Sequence, residues 1–190
     1  MATQQRRERE RAQREARIVE AAREMAEADG WASVTVRKLA DRIEYSQPVL
    51  YSHFAGRGAI VDAVALQGCA ELAVILDKAA VAGPEGGGLA AVARAYLDFA
   101  NAHPAVFEAI FTLAEGLPFG PDAPEPLKAA FAGLYRVFAP LAREGQDPDA
   151  LTETGWAAIH GLAVLGRTKR LRSDLENERL QILVQQFTSN

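Results

Sequence analysis

Apolar positions recur at helical spacing along most of the chain, and the pattern is organised around residues 35–60, TVRKLADRIEYSQPVLYSHFAGRGAI. Val36, Leu39, Ala40 and Ile43 fall at i, i+3, i+4 and i+7, one buried stripe of a helix, which leaves Arg37, Lys38, Asp41 and Arg42 in water. Glu44 and Tyr45 break the pattern. Ser46 then offers a capping hydroxyl ahead of Pro48, whose fixed φ suits a first helical turn, so the spacing predicts a second helix from Gln47. Leu50 and Phe54, four apart, turn toward the first helix, while Gln47, Val49, Tyr51, Ser52 and His53 point elsewhere. Those side chains hydrogen-bond, reach phosphates or contact methyl groups, as a helix lying in a DNA major groove requires.

Upstream, residues 12–28 are good helix formers with a stripe at Ile18, Ala21, Ala22 and Met25, closed by Asp29 and Gly30. Trp31 and Val34 read as core that folds this helix onto the next two. Downstream, 59–81 is a long helical pattern, and Gly83, Pro84 and 86–88 read as a loop. The remainder shows no period-2 alternation. Helices are expected at 89–102, 105–115, 127–143 with Pro140 kinking it or ending it early, 151–171 and 175–187, with a proline-rich loop at 116–126. The fold class is therefore all-α: a three-helix helix-turn-helix head on a larger helical bundle, about nine helices in all. The expected domains are 1–58, with the N-terminal arm and DNA-binding head, and 59–190 for ligand binding and dimerisation.

Residues 151–171 are unusual, with Gly155, Ala157, Ala158, Gly161, Ala163 and Gly166 scattered among larger apolar residues. The small residues cost helix propensity but let another helix approach closely. Too much of this surface is apolar to stay in water, so a second subunit is the expected cover, through Trp156, Ile159, Leu162, Leu165 and, on the last helix, Leu183. The aromatic-rich set Tyr96, Phe99, Phe107, Phe111, Phe131, Tyr135 and Trp156, with His160, reads either as the lining of an effector site for a small apolar or aromatic molecule or as solid core.

Charge changes the picture. The 190-residue chain carries a net charge of −4 and 49% hydrophobic residues, enough to bury a sizeable core. Residues 1–60 hold 11 Lys and Arg against 9 Asp and Glu, whereas 61–190 hold 10 against 16. The positive excess thus accompanies the helix-turn-helix. Six arginines crowd residues 1–17 against three glutamates; this arm either neutralises DNA phosphates or forms a solvated helix of i, i+4 pairs. A single cysteine, Cys69, excludes an internal disulfide, and a charged run follows Met1 directly, so a reducing, cytoplasmic setting is expected without a secretory signal. No apolar run is read as reaching the ~18 residues of a membrane span. Three histidines, His53, His103 and His160, and no HExxH, CxxC, GxSxG or P-loop spacing give no catalytic residue, no metal site and no cofactor.

The run Leu50, Tyr51, His53, Phe54, followed by Arg57 and Ile60, resembles the helix-turn-helix signature of the tetracycline-repressor family of transcriptional regulators. Thr35, Arg37, Lys38, Leu39, Ala40, Gln47, Pro48, Leu50, Tyr51 and His53 are similar to the reading head of its founding member. Two positions depart from the family pattern. Glu44 occupies a turn position usually held by glycine, where a Cβ is strained, and Arg57 stands for the usual lysine. Trp156, His160 and Gly161, with 96–100 and 103–107, resemble the family's Trp-His-Gly class of regulatory domains. The resemblance implies a homodimeric repressor on a palindromic duplex operator, released by a small effector, with no membrane partner. DNA-binding residues are then Arg37, Lys38, Ser46, Gln47, Pro48, Val49, Tyr51, His53 and Arg57. The competing reading is a helical small-molecule-binding or scaffold protein whose helix-turn-helix meets protein.

Overall fold

The structure, a computed structural model, describes residues 2–82 and 88–189, with side chains from residue 4 onward. The loop read at Gly83, Pro84 and 86–88 lies outside the described residues apart from Gly88. Among the described residues there are nine α-helices and no strand. The chain divides into two compact units, Met1–Gly68 with His103–Asp122, and Cys69–Ala102 with Ala123–Asn190.

The first unit begins with α1 (Ala2–Asp29), which starts well before the predicted residue 12. Its arm is held helical by i, i+4 pairs: Gln4 with Glu8 at 3.2 Å, Arg6 with Glu10 at 2.8 Å and Arg11 with Glu15 at 2.9 Å. Gly30, at φ 76°, ends it and donates its N–H to the Ala26 carbonyl at 2.8 Å. A 3-10 turn at Trp31–Ser33 leads into α2 (Val36–Arg42), whose N-cap Thr35 accepts the Lys38 N–H at 3.2 Å. Next come α3 (Gln47–His53) and the start of α4 (Arg57–Ala82). Ile18, Ala22, Val34, Leu39, Leu50, Ile60 and Val64 are buried.

The same unit contains α6 (Pro104–Glu108), which continues as a π-helical turn at Ala109–Leu113 in place of the single helix predicted over 105–115. The Glu27 carboxylate accepts the Ala105 and Val106 N–H groups, each at 3.1 Å, and so satisfies two donors at the α6 N-terminus. The Trp31 indole N–H donates to the Ala105 carbonyl at 2.7 Å in a buried position.

The second unit is built from the rest of α4, α5 (Gly88–Ala102), α7 (Glu125–Phe138), α8 (Pro148–Arg167) and α9 (Glu176–Thr188). Its core includes Leu72, Leu76, Val92, Phe99, Leu134, Phe138 and Ile159. Pro140 stops α7 in a 3-10 turn at Ala139–Leu141, as its missing N–H dictates. Asp147 caps α8 by accepting the Asp149 and Ala150 N–H groups at 2.8 and 3.2 Å. Gly155 on α8 lies against the buried Phe138 ring, a closeness that only a residue without a Cβ permits. The helix predicted over 151–171 ends at Arg167, because Lys169 turns to φ 56°.

One expectation is corrected. Among the described residues α4 is long and apolar enough to cross a membrane by length and composition. Half of the residues in its apolar window are buried inside the protein.

Candidate nucleic-acid interface

The helix-turn-helix divides into an inner and an outer face. Leu39, Ala40 and Leu50 are buried, while Arg37, Lys38, Ser46, Gln47, Pro48 and Tyr51 are exposed and Val49 is half-buried. Tyr51, at 56% exposure, is a large ring left in water for no internal purpose. Arg37 and Lys38 enter no ion pair among the described residues, whereas neighbouring Arg42 is held by Glu24 at 2.8 Å. Ser46 does not use its hydroxyl as a cap; its carbonyl accepts the Val49 and Leu50 N–H groups at 3.0 and 3.3 Å instead. The Ser52 hydroxyl bonds back to the Val49 carbonyl at 2.7 Å. The turn between the two helices has Glu44 at φ 58°, the positive φ that its place in the motif predicts.

Two expected contact residues are placed otherwise. The His53 side chain is only 6% exposed, and its Nδ1 lies 3.2 Å from Glu15 on α1. That bond, with help from Arg11, holds the Glu15 carboxyl below its ordinary range against an opposing contribution from burial. Arg57 donates from Nε to the Val34 carbonyl at 3.0 Å and from Nη2 to the Trp31 carbonyl at 2.9 Å, with its guanidinium over the Trp31 ring. Both side chains tie the motif to its own head. Periodicity could not reveal this, since the partners are far away in sequence. The same holds for Arg17, which bonds the Tyr45 hydroxyl at 3.4 Å and covers its ring. The arm follows the paired-helix reading in part: Arg6 and Arg11 are bound to glutamates, while Arg7 and Arg14 enter no ion pair among the described residues.

The expected effector set is split. Phe107 and Phe111 pair at 4.7 Å between ring centroids in the first unit. The other six fall in the second. There the Trp156 indole donates to the Tyr96 hydroxyl at 3.1 Å, and that hydroxyl lies 2.9 Å from His160 Nδ1. Burial pushes the Tyr96 phenol up and the His160 imidazole down, so both favour their neutral forms. Phe131 meets Trp156 edge-on at 6.5 Å. Tyr96 and Phe99 are buried in their unit, Tyr135 is exposed, and the remaining three are half-buried.

Of the expected dimer contacts, Ile159 and Leu183 are buried inside their own unit and cannot meet a second chain there. Trp156 and Leu162 are half-buried and Leu165 is exposed. The large apolar residues that α8 and α9 expose are Val164, Leu165 and Ile182, and Ala157 and Ala158 of the small-residue stripe are exposed on α8 as well.

Residues 18–64 match the family model described as "Bacterial regulatory proteins, tetR family" and residues 89–187 the one described as "Tetracyclin repressor-like, C-terminal domain". The second description does not carry the Trp-His-Gly class. An HTH-type transcriptional regulator of Mycobacterium tuberculosis is 28% identical over 154 residues, covering 80% of this chain and 69% of that one. Among solved structures, the transcriptional regulator FadR of Bacillus subtilis in complex with stearoyl-CoA aligns with a TM-score of 0.68 at 15% identity, over 89% of this chain and 97% of that one. A TetR variant of Acinetobacter baumannii in complex with minocycline aligns with a TM-score of 0.60 at 22% identity, over 90% and 91%. These likenesses show a common fold.

Proposed function

The chain belongs to the tetracycline-repressor family of transcriptional regulators, and from that premise we propose that it is a repressor. It binds a near-palindromic operator in the cytoplasm as a homodimer and leaves it when a small effector binds. The observation that carries this reading is the outer face of α2 and α3, where Arg37, Lys38, Gln47, Pro48 and Tyr51 stand in water while the opposite face is buried. Gln47 suits adenine, Pro48 and Val49 suit a thymine methyl, and Arg37 suits guanine. Lys38, Ser46 and Tyr51 then hold phosphates and fix register. His53 and Arg57 act as positioning residues that hold α3 and the turn before α2.

In this reading residues 1–58 carry the DNA contact and 59–190 the effector and dimer contacts. The apolar residues exposed on α8 and α9 meet their copies about a two-fold axis, so that each head reads one half-site. The neighbours solved in complex with stearoyl-CoA and with minocycline support a small-molecule effector for this chain. Its binding favours a dimer in which α4 holds the heads at an unproductive separation, and release follows from that differential affinity.

Duplexes selected from a random pool, titrated with protein by fluorescence anisotropy, test the reading. Arg37→Ala and Tyr51→Ala should each cost about 1–3 kcal/mol in operator affinity, and wild-type affinity should fall steeply with salt. Unchanged affinity in both variants would refute the interface, and a monomer in sedimentation at micromolar concentration would remove the two-half-site argument.

A further inference from the structure

A cavity of about 340 Å³ opens in the second unit where α5, the end of α8 and the start of α9 meet. Its size is at the lower end of small-molecule sites. Leu97, Leu162 and Ala163 give it an apolar wall, and Lys169 and Arg179 are the two cationic residues of its lining. Neither cation enters an ion pair among the described residues, although Arg179 adds a smaller contribution to the hydrogen bond from Arg172 that holds the Asp174 carboxyl down. The one carboxylate in the lining, Glu176, is already neutralised by Arg94 at 2.7 Å. The cavity therefore has a surplus of positive charge over a greasy floor.

The backbone supplies a second and independent observation. Lys169 lies at φ 56°, where the Arg170 N–H reaches back to the Leu165 carbonyl at 2.9 Å and closes α8. Glycine would fill that position without strain. A lysine there costs stability, and strain of this kind collects at sites that use the side chain. Lys169 is among the residues that line the cavity.

We infer that this cavity binds a small amphipathic anion, a carboxylate or sulfonate carried on an apolar body, with Lys169 and Arg179 as its charge anchors. The apolar body lies on Leu97, Leu162 and Ala163. None of the aromatic residues expected from the sequence lines it, so the site is separate from the Tyr96–His160–Trp156 cluster.

The test uses the full chain and two fluorescent probes, the anionic anilinonaphthalenesulfonate and its neutral relative N-phenylnaphthylamine. The wild type should bind one sulfonate per chain and hold it more tightly than the neutral probe. Lys169→Gly removes the ammonium while relieving the strained backbone, and Arg179→Gln removes the guanidinium. Each should weaken the sulfonate roughly tenfold, the scale of a charge-assisted hydrogen bond, and leave the neutral probe unchanged. Gly166 also lines the cavity, and a Cβ there meets nothing within 4 Å. Gly166→Leu should thus occupy the space without a clash and abolish binding of both probes. Circular dichroism and the thermal midpoint establish that each variant is folded. Wild-type protein that ignores the sulfonate, or wild-type sulfonate affinity retained in both Lys169→Gly and Arg179→Gln, overturns the proposal. So does full binding in a folded Gly166→Leu variant. These readouts do not involve DNA, so they stand or fall apart from the repressor reading.

Discussion

Replacing Glu44 by glycine is expected to make the protein more stable. Glu44 closes α2 at φ 58°, with the Tyr45 N–H donating to the Ala40 carbonyl at 3.0 Å and the Ile43 N–H to the Leu39 carbonyl at 3.2 Å. This left-handed helix end is the one glycine usually occupies. A Cβ at that φ costs about 1–2 kcal/mol. Glycine removes the cost but returns about 0.5–1 kcal/mol of freedom to the unfolded chain. The net gain is about 0.5–1 kcal/mol, which for a chain of this length raises the thermal midpoint by about 1–4 °C. Lys169→Gly provides a matched comparison in the other unit, since its φ of 56° closes α8 in the same way. Differential scanning calorimetry reads both. A midpoint in Glu44→Gly that is unchanged or lowered while Lys169→Gly rises would refute the strain argument for the turn. Loss of the carboxylate also removes a negative charge from the α2–α3 turn, so DNA affinity at low salt should rise with stability.

Two further outcomes follow from the second unit. Gly155→Ala drives a Cβ into the Phe138 ring, which is fully buried and has no room to retreat; the variant should lose about 1–3 kcal/mol in urea denaturation, and a neutral result would contradict the packing. Burial lowers the His160 pKa, so the unfolded chain takes up this proton first as pH falls. The His160 contribution is therefore complete above about pH 6.5, shrinks below it, and levels off once the folded value is passed. The urea midpoint should drop between pH 7.5 and 5.5 by more in the wild type than in His160→Gln, and parallel profiles would remove His160 as the cause.

The fold was legible where local rules decide it. The i, i+3, i+4 spacing of Val36, Leu39, Ala40 and Ile43, the proline at 48 and the proline at 140 each act within a turn or two, and α2, α3 and the end of α7 follow them closely. The family motif placed the positive-φ turn at Glu44. Side-chain direction was less legible. His53 and Arg57 look like phosphate contacts because they are cationic or can become so, yet their partners are Glu15, Val34 and Trp31, which spacing within the motif cannot indicate. Ile159 and Leu183 fit an apolar stripe, but a stripe does not say whether its cover comes from the same chain; here the chain covers both itself. The cavity at Lys169 escaped notice because its lining comes from three separated segments and its signal is a backbone angle.

Trp31 shows how far such long-range bonding governs the head. Its indole donates to the Ala105 carbonyl, its own carbonyl accepts from Arg57 at the start of α4, and Glu27, one turn earlier on α1, accepts the first two N–H groups of α6. The end of α1, the start of α4 and the start of α6 are thus fastened at one point, and a shift in any of them must break charge-assisted or buried bonds. Glu27→Gln tests one of these fastenings. Its amide retains one acceptor oxygen for two N–H donors, so one is left without its acceptor, at a cost of about 1–3 kcal/mol. Amide exchange at Ala105 and Val106 should accelerate by roughly tenfold or more. Protection that survives the substitution at both amides would mean that the α6 N-terminus is held by packing of Val106 and Phe107 alone, and that the carboxylate is incidental.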